Sequence, residues 1–216
     1  MKSKKKAVIL FSGGLDSTTV LYYALSKGYQ CICLMFDYSQ KHNKELLSAV
    51  KIAKSVKAAY SIIKISLPWS NDALTGKNKD IPIHKRLTKT VPATYVPGRN
   101  TIFLSYALSY AQSVSAQTIF TGVNSLDFSN YPDCTPKFIE EYNNVLKALK
   151  TKITVQTPIL KLNKAQIIKL GIKLNVPYKD TWTCYNGYKK PCMECDSCKL
   201  RAKGFKELKM NDPAIQ

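Results

Sequence analysis

Apolar residues in the early part of the chain form short unbroken runs, separated by segments of helical spacing. Lys6 to Phe11 (KAVILF) is one such run, too short for a helix and closed by a Ser-Gly-Gly turn, and it predicts a buried strand. Ser17 to Lys27 places Val20, Leu21, Ala24 and Leu25 on one face and then meets Gly28, a helix stop. Cys31 to Phe36 predicts a second strand, Lys44 to Lys57 a second helix and Tyr60 to Ile65 a third strand. Further on, Thr101 to Ala116 reads as an apolar helix and Thr118 to Thr121 as a short strand ending at Gly122. A loop carrying Asn124, Asp127 and Asp133 leads to a helix over about Pro136 to Lys150, and a last strand ends near Pro158. Asn163 caps a final amphipathic helix carrying Ile167, Ile168 and Leu170, after which the cysteine-rich segment receives no regular element.

Wholly apolar strands alternating with helices are the pattern of a parallel sheet buried on both faces. The expected class is α/β, an open, mostly parallel sheet with helices on both faces. We expect a single domain over residues 1–216, with a C-terminal cysteine segment at about 180–209. Between residues 66 and 98, Pro68, Gly76, Pro82, Pro92, Pro97 and Gly98 break any period. A loop of that length inside a compact domain is expected to be a lid or a binding loop, or else disordered.

Composition changes little: 45% hydrophobic and 22% charged residues are ordinary for a globular protein. Charge changes more, because the formal net charge is +19. Of the 33 basic residues, however, only Arg86, Arg99 and Arg201 are arginine, and the lysines are spread along the chain. Arginine is the residue favoured for bidentate phosphate and base contacts, so direct nucleic-acid binding is not expected. The positive field would still attract an anionic nucleotide. The basic start, Met1 to Lys6, precedes an apolar run, Ala7 to Phe11, shorter than the roughly 7–15 residues of a signal-peptide core or the about 20 of a membrane helix. A cytoplasmic protein without membrane association is the expectation.

The most informative residues are Phe11-Ser12-Gly13-Gly14-Leu15-Asp16-Ser17-Thr18-Thr19, between the first strand and the first helix. In an open parallel sheet, ligands bind beyond the carboxyl ends of the strands, where this junction lies. Two glycines let the backbone turn sharply and present its N–H groups. Ser12, Ser17 and Thr18 add hydroxyl donors, and the helix N-terminus favours an anion. The spacing differs from the Gly-Lys phosphate loop of mononucleotide kinases. A bare Ser-Gly-Gly would be only a tight turn; with Asp16 and Ser17 in register behind a buried strand, the segment resembles the PP-loop of ATP pyrophosphatases. That resemblance implies an adenine nucleotide alpha hydrolase-like fold and a loop that cradles the pyrophosphate leaving ATP.

Seven cysteines without an export signal argue against a disulfide framework. Cys184, Cys192, Cys195 and Cys198 offer four thiolates, the number a closed tetrahedral zinc site requires. An iron–sulfur cluster also uses four cysteines, and a redox Cys-x-x-Cys pair is the plainer alternative. Cys31 and Cys33 read as strand core.

With the PP-loop and the cysteine cluster in this order, nearly the whole chain resembles the 7-cyano-7-deazaguanine synthase family of queuosine biosynthesis. The likeness extends through Phe36-Asp37-Tyr38-Ser39-Gln40-Lys41-His42, Tyr95-Val96-Pro97-Gly98-Arg99-Asn100-Thr101, Gly122-Val123-Asn124 and Tyr131-Pro132-Asp133-Cys134. It ends with Cys195-Asp196-Ser197-Cys198-Lys199-Leu200-Arg201-Ala202-Lys203-Gly204-Phe205. The family usually has glycine where Ser39 stands and often arginine where Thr135 stands, the latter a position bearing on substrate contacts.

The resemblance implies a carbon–nitrogen ligase that turns 7-carboxy-7-deazaguanine and ammonia into 7-cyano-7-deazaguanine, with two ATP converted to AMP and pyrophosphate. It implies structural Zn2+ on Cys184, Cys192, Cys195 and Cys198, Mg2+ with the nucleotide, and a homodimer. The nucleotide set is Phe11, Ser12, Gly13, Gly14, Leu15, Asp16, Ser17, Thr18, Thr19, Val20 and Leu21, with Ser12 to Thr19 on the phosphates. Among candidate catalytic residues, Asp16 would orient Mg2+ or the loop itself. Arg99 would meet a phosphate or the substrate carboxylate, and Asp133 the N1–H and exocyclic amine of a guanine-like base. Asp37 ends the second strand, where ligand-facing residues belong, and His42 is a proton donor or an early-helix residue. The rival within the PP-loop class is a tRNA-modifying enzyme, with Cys134 and a cluster cysteine imitating a catalytic pair. A zinc-stabilised nucleic-acid module would leave the PP-loop unexplained.

Overall fold

The computed structural model describes residues 5–40, 42–69, 72–75, 81, 93–126 and 131–215. Asp127 and residues 70–71, 76–80 and 82–92 of the expected lid lie outside that set. The chain runs β1 (Lys6–Leu10), α1 (Leu15–Ser26), β2 (Gln30–Asp37), α2 (Lys44–Ser55), β3 (Ala59–Lys64) and α3 (Arg99–Ser113). It continues with β4 (Thr118–Phe120), α4 (Pro136–Ala148), β5 (Thr154–Gln156), α5 (Lys164–Lys173) and α6 (Asp196–Glu207). The five strands are parallel in the order β3-β2-β1-β4-β5.

Alternation within the strands sends side chains into two cores. Ala7, Ile9, Cys33 and Met35 pack with α1, α2, α5 and α6 on one face. Val8, Leu34, Phe36 and Ile119 pack with α3 and α4 on the other. The expected doubly covered parallel sheet is what forms. Cys31 and Cys33 are buried strand residues whose thiols burial pushes up, Cys31 to about 12. As an edge strand, β3 keeps Tyr60 and Ile62 exposed, at 36% and 40%.

Element ends follow backbone chemistry. Gly98 at φ +67 starts α3 two residues ahead of the sequence expectation, and Ser115 at φ +56 stops the chain from continuing it. Although apolar in composition, α3 buries only Leu104, Ala107 and Ala111 and leaves Tyr106 exposed. Asn163 forms a full capping box with Gln166 at the start of α5. The sequence reading assigned no element where α6 stands. Its buried stripe, Cys198, Arg201 and Phe205, has helical spacing, but a cysteine and an arginine hide it from an apolar count.

Between β1 and β4 the order of connections reverses. The chain leaves β1 for α1 on one face of the sheet and leaves β4 for α4 on the other. That divergence opens a crevice at the carboxyl ends of the two strands. Among the described residues, no helix is long and apolar enough to cross a membrane.

Candidate functional site

A cavity of about 350 Å³ occupies the crevice. Its floor is the loop of Ser12, Gly14, Asp16 and Ser17, flanked by Thr121 to Asn124 after β4. Tyr38 and Gln40 after β2, and Arg99, Asn100 and Phe103 of α3, form a second wall. Thr183, Cys184 and Tyr185 of the cysteine segment form a third.

The loop is built for close approach. Gly13 sits at φ +82, and a Cβ there would lie 2.4 Å from the Ala49 backbone nitrogen and 2.6 Å from the Glu45 carbonyl oxygen. Gly122 presses its backbone so near Ser17 that a Cβ would lie 3.0 Å from the Ser17 nitrogen. Ser12 and Ser17 hydroxyls face each other at 3.2 Å, and the Gly14 N–H donates to Ser12 Oγ at 3.2 Å. Gly14 is the N-cap of α1, and no side chain caps that end. The first turn of α1 therefore aims its N–H groups and dipole at the cavity, an anion site. Lys164, the first residue of α5, donates to both oxygens of Asp16 at 2.7 and 2.8 Å.

Opposite the loop lies a buried cation among aromatic rings. Arg99 Nη1 donates to the Tyr38 hydroxyl at 3.1 Å. Burial works against its charge, but Tyr38, Tyr131, Tyr185 and Asp133 more than offset this and hold the guanidinium above its ordinary range. The Tyr131 hydroxyl shares a 2.7 Å hydrogen bond with Thr94, and Tyr95 stacks on Tyr131 with centroids 5.6 Å apart. Phe36 and Phe103 stack at 4.0 Å, tilted by 5°. A fixed guanidinium beside flat rings suits a planar carboxylate-bearing ligand.

The four cysteines Cys184, Cys192, Cys195 and Cys198 converge, with their sulfurs all within 4.8 Å of one another. Sulfurs about 2.3 Å from a tetrahedral ion stand about 3.8 Å apart, so the set fits such an ion. Backbone N–H groups of Asn186 and Cys192 donate to Cys184 Sγ and that of Cys195 to Cys192 Sγ, each at 3.3 Å, as thiolate ligands require. Within the shared network, hydrogen bonds from Cys184 and Cys198 hold the Cys195 thiol below its ordinary range and push those two above theirs. An ion held by all four sulfurs would have no open position, so its role would be to brace the fold.

The sequence profile of the family described as Queuosine biosynthesis protein QueC matches residues 6–209. The chain belongs to the QueC family. A 7-cyano-7-deazaguanine synthase of Acetivibrio thermocellus is 49% identical, with 96% of each chain covered. Those of Trichodesmium erythraeum and Thermoplasma volcanium are 47% and 45% identical over 97% of this chain, and over 100% and 90% of their own lengths. Among solved structures, a 4-thiouridine synthetase in complex with RNA and ATP superposes with TM-score 0.53 at 18% identity, over 95% of this chain and 50% of that one. The tRNA thiolase NcsA of Methanococcus maripaludis gives 0.52 at 17%, over 96% and 67%. Both are likenesses of fold.

In this QueC-family chain the predicted site residues fall into distinct positions. Ser12, Gly14, Leu15, Asp16, Ser17, Phe11 and Arg99 line the cavity, and Gly13 shapes it from behind. Val20 and Leu21 are fully buried in the core, and the Thr18 and Thr19 hydroxyls bond back to Gly14 and Leu15 carbonyls. Asp37 is spent on the Ser39 N–H at 3.3 Å. Asp133 lies behind the wall, its Oδ2 accepting from the Asn100 N–H at 3.1 Å and so capping α3. His42 uses both ring nitrogens. Nε2 reaches the carbonyls of Cys184 and Tyr185 at 3.2 and 3.1 Å, while Nδ1 accepts from the Lys44 N–H at 3.3 Å. Nε2 therefore carries the proton, and burial lowers the ring's pKa.

The two positions that depart from the family pattern have structural roles. Ser39 adopts φ +62, a left-handed conformation that glycine prefers. Thr135 is the N-cap of α4 and accepts from the Phe138 N–H at 3.1 Å. Cys134 is buried on the cavity wall, and burial aided by Asp133 pushes its thiol up to about 12. That makes it a poor nucleophile at neutral pH and weighs against a thiol-dependent RNA-modifying role.

Sequence reasoning missed Glu45, Lys164 and Tyr185 and quoted Tyr131 without giving it a role; all four are on the cavity wall. Glu45, three residues beyond His42, sat in a plain helical pattern and gave no signal. Lys164 was one lysine among many, readable only through the capping box that precedes it.

Proposed function

We propose that this chain converts 7-carboxy-7-deazaguanine and ammonia to 7-cyano-7-deazaguanine, consuming two ATP through an adenylated acid and then an adenylated amide. One observation carries this reading: a single cavity joins an uncapped-helix phosphate loop to a buried guanidinium set among stacked rings. The extended identity with curated synthases supports the same substrate.

A carboxylate is a poor electrophile, and adenylation gives it a good leaving group. Ser12, Gly14 and the first turn of α1 hold the departing pyrophosphate. Arg99 orients the substrate carboxylate toward the α-phosphorus, Tyr38 fixes the guanidinium, and Phe36 and Phe103 complete the apolar wall beside it. Asp16 and Lys164 place a cation at the edge of the phosphate site. ATP is taken with Mg2+, which neutralises the triphosphate. Cys184, Cys192, Cys195 and Cys198 hold Zn2+, which braces the wall carrying Tyr185. We place the enzyme in the cytoplasm, acting on small molecules without direct nucleic-acid contact, and as a homodimer, an assembly that would give the exposed β3 edge a cover.

The deciding experiment incubates the protein with ATP, Mg2+, ammonium and 7-carboxy-7-deazaguanine and follows products by mass spectrometry. Nitrile, AMP and pyrophosphate together support the proposal. AMP without nitrile keeps adenylation but moves the acceptor to another carboxylate or a tRNA, and no AMP at all overturns the reading. Equilibrium sedimentation tests the dimer.

A further inference from the structure

The proposed chemistry requires a base. When ammonia displaces AMP, the C–N bond forms, the C–O bond breaks with its electron pair leaving on AMP, and the extra proton on nitrogen must go elsewhere. In the second round the adenylated amide loses one proton to give an imidate. AMP then leaves with its C–O electron pair as the C≡N bond forms and the last N–H proton goes, so a single acceptor must pass the first proton to solvent before it takes the second.

Few groups on the cavity wall can take them. Asp16 is engaged by Lys164. Neither nitrogen of His42 has an unused lone pair. Tyr38, Tyr131, Tyr185 and Cys134 are all pushed above their ordinary values, chiefly by burial. Asp196 adjoins the metal-site residue Cys195.

Glu45 differs in position and in partners. It lies in the first turn of α2, and its Oε1 comes within 3.2 Å of where a Cβ on Gly14 would be. Ser12 favours its charged form, and Arg99 and Tyr38 act on it electrostatically from the opposite wall. Its helix cannot drift, because Ala49 and the Glu45 carbonyl are packed against Gly13. The carboxylate thus stands at the seam between the phosphate loop and the Arg99 pocket, where the acyl carbon of an adenylate held by both would sit. We propose that Glu45 is the proton acceptor for the nitrogen nucleophile, both when ammonia displaces AMP and when the adenylated amide collapses to nitrile.

This rests on the reaction assigned above. Burial raises the carboxyl to about 7, and the Ser12 hydroxyl and Arg99 only partly offset that. Both protonation states are then populated at neutral pH, as a group that accepts and releases a proton each turnover needs. The charged and titratable groups around it are Arg99, Tyr38, the Asp16–Lys164 pair and, on its own approach, His42 and Lys44.

The test separates adenylation from nitrogen chemistry in Glu45→Gln and Glu45→Asp. ATP–pyrophosphate exchange with the deazaguanine acid, without ammonia, reports adenylation and an intact fold. Nitrile formation, corrected for free ammonia at each pH, reports the nitrogen steps. Glu45→Gln is expected to keep exchange within about threefold and to lose nitrile formation on the order of 10²–10⁴-fold, with the acid limb of the pH profile gone. Glu45→Asp should recover part of the rate with a displaced limb. Equal loss of exchange and nitrile formation would show that Glu45 only props the phosphate loop. Unchanged nitrile formation would likewise overturn the proposal. Absence of exchange in the unaltered protein would remove the reaction itself, and the proposal with it.

Discussion

Trp182 donates its backbone N–H to the carbonyl of Gly13 at 3.1 Å. That bond ties the segment entering the cysteine site to the turn of the phosphate loop. The indole Nε1 of Trp182 donates to the Cys184 carbonyl at 2.9 Å, and His42 holds the same carbonyl from the other side. Arg201 locks the far end, reaching both oxygens of Asp212 at 2.6 and 2.9 Å, the hydroxyls of Thr181 and Thr183, and the Tyr178 carbonyl. Hydrogen bonds thus join the cysteine segment directly to the loop at the head of α1.

Removing the metal should therefore weaken nucleotide binding at a distance. Cys195→Ser, or treatment with a strong chelator, is expected to release about one equivalent of metal and to lower the melting temperature. It should also weaken ATP binding by roughly tenfold or more, although no cysteine sulfur holds the phosphates. Metal content, melting and nucleotide titration check this together. An unchanged ATP affinity in the metal-free protein would show that the Trp182–Gly13 link carries no coupling.

Gly13→Ala should be far more damaging than its size suggests. The residue sits at φ +82, and its new methyl would meet backbone atoms of α2 at 2.4 to 2.8 Å. The left-handed conformation costs roughly 1–2 kcal/mol and forced repacking about 1–3 more. We expect a loss of about 2–5 kcal/mol in urea unfolding, together with lost ATP binding.

Ser39→Gly should act in the opposite sense. At φ +62 serine bears a steric cost that glycine avoids, so the exchange is expected to stabilise by about 1 kcal/mol. For a chain of this length that raises the melting temperature by roughly 2–4 °C, measurable by calorimetry.

Ser39 also shows where sequence stops informing. The resemblance sets glycine at that place, but the left-handed backbone that favours it was not legible in the sequence. The first two strands were legible because each carries an unbroken apolar run, Ala7 to Leu10 and Cys31 to Phe36, and their order followed from the sequence. Asp16 and Arg99 were legible from motifs. The partners that set their chemistry, Lys164 and Tyr131, come from segments far along the chain and meet them only through the sheet crossover. Asp133 was read as the acceptor for a guanine-like base; its buried carboxylate accepts from the Asn100 N–H at the head of α3, a contact that depends on the long-range return of residues 131–135 to that helix.

Arg99→Lys should separate the two substrates. Lysine keeps the charge but lacks the planar fork that reaches Tyr38 and that the proposed reaction needs for the substrate carboxylate. Charge-assisted hydrogen bonds contribute about 1.5–3 kcal/mol, which is roughly 10–150-fold in affinity. The KM for the deazaguanine acid is expected to rise within that range while the KM for ATP stays within about threefold. A larger effect on ATP would move Arg99 to the phosphate end of the cavity.

Glu45 also predicts how stability depends on pH. Burial lifts its carboxyl from an ordinary 4.5 to about 7, so the folded state holds a proton that the unfolded chain has released across that window. Stability from this group is complete below about pH 4.5 and is lost as pH rises through about 7. Other groups titrate in the same range, so the informative quantity is the difference between the unaltered protein and Glu45→Gln. Glutamine cannot ionise, so the variant should gain relative stability as pH rises from 5 to 8, most of it below about 7. Denaturant midpoints measured across that range without nucleotide read the difference directly. If the two proteins keep a constant offset, the carboxyl titrates near its ordinary value and the cavity is wetter than its packing implies.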